Sequence, residues 1–172
     1  MQAEREAGIT VLLAARRLIL ALTCATTTAF GADFSGRVVG VSDGDTISVM
    51  RDGRAVRVRL EGIDCPENGQ PFGRAAKKAT SELVSGRDVS VADHGLDRYG
   101  RTIGRIFIGH ADLSLELVRL GMAWHFLRYS GDPALARAEE EARKAKRGLW
   151  VDADPLPPWE WRRHKPARGA RR

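Results

Sequence analysis

Between residues 35 and 61 the chain is built from short alternating runs. Gly-Arg-Val-Val-Gly-Val at 36–41, Thr-Ile-Ser-Val-Met-Arg at 46–51 and Arg-Ala-Val-Arg-Val-Arg-Leu at 54–60 each read as a β-strand. The third run carries Arg57 and Arg59 on one face and Val56, Val58 and Leu60 on the other, because successive side chains of a strand point to opposite sides. Asp52-Gly53 joins the second run to the third, a pair suited to the positive φ angles of a tight two-residue turn, so these two strands form a hairpin.

The rest of the chain adds helices to that sheet. Residues 71–85 read as a helix with Pro71 near its start, an Ala- and Lys-rich middle and Gly86 as its stop. Val89–Val91 and Thr102–Ile108 read as two further strands, with a polar turn at 96–101 between them. Leu113–Leu120 repeats apolar residues at helical spacing up to Gly121. Pro133–Arg147 forms a charged helix with Leu135, Ala138, Ala142 and Ala145 as its packing stripe. Five short strands interrupted and followed by helices give an α+β class: a small β-barrel with α-helices, of which the OB-fold five-stranded barrel capped by about three helices is the best-known form. Trp124 and Trp150 are expected in the core, and the four histidines belong to no motif.

The chain has 172 residues, with 43% hydrophobic and 29% charged residues, as in an ordinary folded domain. Its net charge of +6 points to an acidic partner without choosing between nucleic acid and a membrane surface. Arg16 and Arg17 precede a short apolar stretch and small residues up to Ala32, the pattern of an export signal; the stretch is too short and threonine-rich to span a bilayer. Residues 1–32 are therefore read as a signal peptide, giving a periplasmic or secreted protein, or as an N-terminal extension, which would leave it cytoplasmic. A lipid anchor at Cys24 is the weaker alternative. Residues 33–162 form the expected domain and 163–172 a basic tail, with Trp159 and Trp161 packing back on the domain. Without Cys24, Cys65 is alone and no internal disulfide is available.

Acids gather at the turns of this basic chain. Asp43-Gly44-Asp45-Thr46 follows the first strand, Arg59 is followed five residues later by Asp64-Cys65-Pro66-Glu67, and Asp97-Arg98-Tyr99-Gly100-Arg101 sits between the fourth and fifth strands. Each piece alone has a bland reading as turn chemistry or surface charge. In this order, with Leu-Val-Arg-Leu-Gly-Met-Ala and Arg-Gly-Leu-Trp following, they resemble the staphylococcal nuclease family of calcium-dependent phosphodiesterases over roughly residues 35–162.

That resemblance implies a set of roles. Asp45 and Asp64 become side-chain ligands of Ca²⁺, with the backbone carbonyl of Cys65 as a third ligand where the family commonly has Thr; Asp43 stands behind them. Oxygen donors suit a hard cation, and a thiolate zinc site lacks partners here. Glu67 becomes the candidate general base, and Arg59 and Arg101 the phosphate-binding catalytic arginines. Tyr99 and Tyr129 become substrate-binding residues, while Leu127 replaces an aromatic of the family pattern. The expectation is a monomeric, sequence-non-specific nuclease acting on DNA or RNA, single strands favoured, by metal-assisted water attack that leaves 3′-phosphates. The alternative from another class is a catalytically inactive OB-fold nucleic-acid-binding module.

Overall fold

Strand β1 (Phe34–Asp43) turns through Gly44-Asp45 into β2 (Thr46–Arg51), and β2 turns through Asp52-Gly53 into β3 (Arg54–Leu60). Both residues of the second turn have positive φ, 49° and 76°, as the expected hairpin requires. The structure is a computed structural model that describes residues 33–164. The expected export signal at 1–32 and the tail beyond 164 lie outside the described residues.

After a short β4 (Ile63–Asp64) and helix α1 (Gly73–Val84), strands β5 (Asp88–Leu96) and β6 (Thr102–Ile108) complete the sheet, with β7 (Ala111–Asp112) at its edge. The order is β3-β2-β1-β5-β6-β7, and a parallel pairing of β3 with β6, Val58 opposite Thr102 and Leu60 opposite Gly104, closes it into a five-stranded barrel of OB type. Closure leaves none of the five strands with two free edges, which removes the hazard of unpaired backbone. β5 is longer than the Val89–Val91 core read from sequence, because its ladder with β6 continues past an irregularity between Asp93 and Leu96.

Alternation along the strands fills the barrel. Ile47, Val49, Val58, Leu60, Val91 and Ile106 are almost wholly buried and pack with Leu113 and Leu117. Those two lie on helix α2 (Leu113–Arg119), whose N-terminus is capped by the Asp112 carboxylate accepting from the Ser114 amide at 2.8 Å. Helix α3 (Pro133–Lys144) starts in the same way at Asp132, with Pro133 in the first turn. Leu135, Ala138 and Ala142 are its buried stripe; Ala145, expected to join them, is exposed because the helix stops at Lys144.

A second apolar cluster gathers Trp124, Ala142, Leu149 and Trp150, with Phe72 and Trp159 against it. Trp124 belongs to β8 (Trp124–His125), which pairs with β4 and sets Trp124 directly opposite Asp64. Trp159 belongs to a fourth helix, α4 (Pro158–His164), that runs past the expected domain boundary at 162. Its ring stacks on Phe126 with centroids 5.1 Å apart and meets Trp124 edge-on at 5.6 Å. Among the described residues no helix is long and apolar enough to cross a membrane.

One glycine couples fold and site. Gly73 opens α1 so close to the preceding turn that a Cβ there would lie 1.9 Å from the Glu67 carbonyl oxygen. Gly73→Ala must push that turn away, and overpacking of this kind costs about 1–3 kcal/mol or more. Urea unfolding should show the variant less stable by that amount, and an unchanged midpoint would contradict the close approach.

Candidate active site

The turn between β1 and β2, the end of β3 and the short β4 meet at one end of the barrel. Thr46 pairs with Arg59 across β2 and β3, and the Leu60 amide donates to the Asp45 carbonyl at 2.8 Å, so Asp45 and Arg59 are fixed side by side. Asp64 follows in β4, five residues after Arg59. Three strand ends therefore deliver one guanidinium and two carboxylates to the same place.

Arg59 lies between the two acids. Its Nη1 is 3.0 Å from Asp45 Oδ2 and its Nη2 is 2.9 Å from Asp64 Oδ1, while Nη1 also donates to the Leu60 carbonyl at 3.0 Å. Asp45 Oδ2 additionally accepts the Cys65 amide at 2.7 Å. Both carboxylates are buried, with Asp64 only 1% exposed. Burial pushes the Asp45 carboxyl up to about 7, against the pull of Arg59 and with further upward pressure from Asp43 and Asp64. Arg59 is raised in spite of burial, because Asp45 and Asp64 hold its charge. The Cys65 thiol is pushed well up by burial and the surrounding acids, so it has no thiolate character and its side chain acts as packing.

Arg101 reaches the same cluster by a different route. The Asp97 carboxylate accepts the Tyr99 and Arg101 amides at 2.8 and 2.9 Å and the Arg101 Nε at 2.7 Å, which fastens the loop between β5 and β6. Asp97 is consequently held below its ordinary range: those hydrogen bonds to Arg101 and Tyr99 outweigh the cost of desolvation. From there Arg101 Nη1 donates to Thr46 Oγ1 at 3.3 Å, and Thr46 Oγ1 is itself 3.3 Å from Asp45 Oδ1. Asp43 accepts the Asp45 amide at 3.2 Å, which makes it a turn-former as well as a charge neighbour of Asp45.

Glu67 lies beyond Pro66. Its amide donates to Gln70 Oε1 at 3.1 Å, and Gln70 Nε2 donates to the Leu156 carbonyl at 2.6 Å, so the turn is tied to the chain leading into α4. The Glu67 side chain is taken by Arg162 of that helix, Nη1 to Oε1 at 2.8 Å. Arg162 also donates through Nη2 to Asp64 Oδ2 at 2.6 Å and through Nη1 to Asp64 Oδ1 at 3.2 Å. Desolvation is outweighed by these bonds, and the Arg162 guanidinium is raised.

The two tyrosines stand differently. Tyr99 is exposed under the guanidinium groups of Arg98 and Arg101, 4.8 and 5.6 Å from its ring centroid. Tyr129 is also exposed, but its described contacts are Phe126, edge-on at 4.9 Å, and Arg128. Phe126 in turn stacks on Trp159 of α4. Sequence reasoning missed Thr46 and Arg162. Arg162 had a signal: Pro158 at a helix start, Glu160 in the first turn and Arg162, Arg163 and His164 in the last form a short dipole-matched helix.

The donor set fits a hard cation. Asp45, Asp64 and the Cys65 carbonyl offer oxygen only, and both acids are buried beside one another. Among the described residues no three His, Cys, Asp or Glu side chains cluster as a metal cage, so most remaining positions around a cation would be left to water.

Residues 57–152 match the staphylococcal nuclease homologue family, a span that includes Arg59, Asp64, Glu67 and Arg101 and stops short of Asp45 and Arg162. A protein of Escherichia coli O157:H7 called an uncharacterized endonuclease is 47% identical over 135 residues, 78% of this chain and 88% of that one. One of the same description from Haemophilus influenzae is 42% identical over 130 residues, 75% and 73% of the two chains. A micrococcal nuclease of Shigella flexneri is 42% identical over 144 residues, 77% and 82%.

The raised Asp45 carboxyl has a consequence for stability. Folded Asp45 keeps its proton up to about pH 7, while the unfolded chain loses it near 3.8, so its contribution favours folding at low pH and is lost as pH rises through that window. Asp45→Asn removes the group. In EDTA, the stability of the variant relative to wild type should therefore increase as pH is raised from about 4 to about 7 and then level off. Paired urea melts across that range check it; a difference that does not vary with pH counts against burial as the cause.

Proposed function

This chain belongs to the staphylococcal nuclease family, and from that premise we propose that it is a calcium-dependent nuclease that hydrolyses DNA or RNA without reading sequence. The observation that carries the reading is the Arg59 guanidinium fixed between the buried carboxylates of Asp45 and Asp64, with Arg101 and Glu67 at the same end of the barrel. Acids that would hold a cation and arginines that bind phosphate are both needed for a phosphodiester, and a site directed at phosphate carries no base information.

Each side chain has a task in that reaction. Arg59 and Arg101 have N–H groups beyond those they use within the protein, and a planar fork suits the oxygens of a phosphate. They would orient the phosphodiester and counter the charge that accumulates on it as water adds to phosphorus. Glu67 would accept a proton from that water, with Pro66 and the Gln70 bond fixing its position. The bond from phosphorus to the 5′ oxygen then breaks, the leaving oxygen takes up a proton, and a 3′-phosphate end remains. Calcium held by Asp45, Asp64 and the Cys65 carbonyl would polarise the phosphoryl group and favour ionisation of the attacking water. Thr46 and Asp97 are positioning residues, because they act through Arg101.

Single-stranded substrates and a monomeric enzyme follow from the same reading, since Tyr99 and Tyr129 stand exposed where unpaired bases could stack. The working domain is residues 33–162 with a basic tail from 163, and residues 1–32 direct export to the periplasm or the medium.

The test is hydrolysis of single-stranded DNA and RNA by the purified protein with Ca²⁺, with Mg²⁺ and with EDTA. Cleavage in Ca²⁺ that stops in EDTA is expected; tight binding without cleavage in any metal would replace this reading with an inactive OB-fold module. Arg59→Lys and Glu67→Gln should each lower turnover, Glu67→Gln by about 10²–10⁴-fold, with melting temperatures showing that both remain folded. Near-normal turnover in a folded variant would remove that residue from the catalytic set.

A further inference from the structure

Arg162 uses two arms on the acids that the nuclease reading needs free. Its Nη2 lies 2.6 Å from Asp64 Oδ2, and its Nη1 lies 2.8 Å from Glu67 Oε1 and 3.2 Å from Asp64 Oδ1. Asp64 is a proposed cation ligand and Glu67 the proposed base. A Glu67 oxygen that accepts a charged hydrogen bond is a weaker proton acceptor, and an Asp64 oxygen shared with a guanidinium is a poorer ligand.

The pairing is not what holds α4 in place. Trp159 is stacked flat on Phe126, with an interplanar angle of 3°, and packs edge-on against Trp124. Gln70 secures the incoming chain at Leu156. The Arg162 side chain is 43% exposed, against 15% for Arg59, and it sits two residues before the last described residue. A half-exposed guanidinium on a long side chain at the end of a short helix can swing into solvent without uncovering the core, whereas Arg59, inside three strand ends, cannot.

We propose that Arg162 is a built-in competitor for the cation, a latch that covers Asp64 and Glu67 until calcium displaces it. The proposal rests on the calcium reading above. Calcium and the Arg162 guanidinium cannot both be fully coordinated by Asp64, so binding must first or simultaneously release the arginine. The apparent affinity is lowered by the fraction of molecules in which the latch is closed. Release frees Glu67 in the same movement, which ties readiness of the base to occupation of the cation site.

The experiment is calorimetric titration of Ca²⁺ into the full-length protein and into Arg162→Gln, with Arg163→Gln as a neighbouring charge control. Arg162→Gln should bind Ca²⁺ at least tenfold more tightly, and Arg163→Gln within about twofold of wild type. Equal or weaker binding by Arg162→Gln overturns the latch while leaving the calcium site standing. If neither protein binds Ca²⁺, the calcium reading itself fails and the latch with it. A second measurement uses the unaltered side chain: the Nη proton resonances of Arg162, held in slow exchange by three carboxylate contacts, should average or broaden at saturating Ca²⁺. Unchanged resonances there also overturn the proposal.

Discussion

Two buried carboxylates held by one guanidinium set the terms for this end of the barrel. Arg59 touches Asp45 from the β1–β2 turn and Asp64 from β4, so a single side chain fixes the distance between elements that the sheet alone would leave independent. An unpaired buried charge is among the most costly defects a fold can carry. Removing Arg59 would take away the cation nearest Asp45, whose carboxyl burial already raises even with Arg59 in place, and would leave Asp64 to Arg162 alone. The fold tolerates the strain because the backbone helps: the Cys65 amide and the β2–β3 ladder bind the same residues from behind.

The remaining arginines form an outer layer with different strengths. Arg101 is locked by Asp97 through both its backbone and its side chain, so its position is set by loop geometry before any ligand arrives. Arg162 has no such anchor of its own and depends wholly on the acids it contacts. A chain with net charge +6 thus keeps its acids together by surrounding them with arginines of graded exposure, 15%, 21% and 43% for Arg59, Arg101 and Arg162. On the proposed reading the acids would hold a cation, and the arginines would make the same place attractive to an anion.

Much of this could be read from the order of residues. The Asp52-Gly53 hairpin, the alternation of β3 and the two strand-end acids Asp45 and Asp64 depend on local spacing, and local spacing survives translation into structure. Asp45, Arg59, Asp64, Glu67 and Arg101 follow each other within one motif order and also meet in space. Arg162 lies 98 residues from Asp64, with no periodicity to link the two, and the run of basic residues after it disguised a helix as a tail. Tyr129 shows what a pattern leaves open: it fixes where a residue sits along the chain, and only the structure shows the exposed ring edge-on to Phe126. Ala145 shows the limit of helical periodicity, which continues past the point where backbone bonds stop.

Position 65 explains how a thiol can stand where the chemistry wants oxygen. The side chain is buried beneath Gly44, where even a methyl group would come within 2.6 Å of Cys65 Cβ and 2.9 Å of Ala76 Cβ. The thiol is pushed well up by burial, so it offers no thiolate to the site. The amide of Cys65 is spent on Asp45, so what the residue contributes to the site is its backbone, held at a fixed height above the turn. Gly44 and Ala76 are therefore as much a condition of the site as the charged groups: a side chain at 44 would collide with Cys65 and Ala76 and displace the turn that carries Asp45.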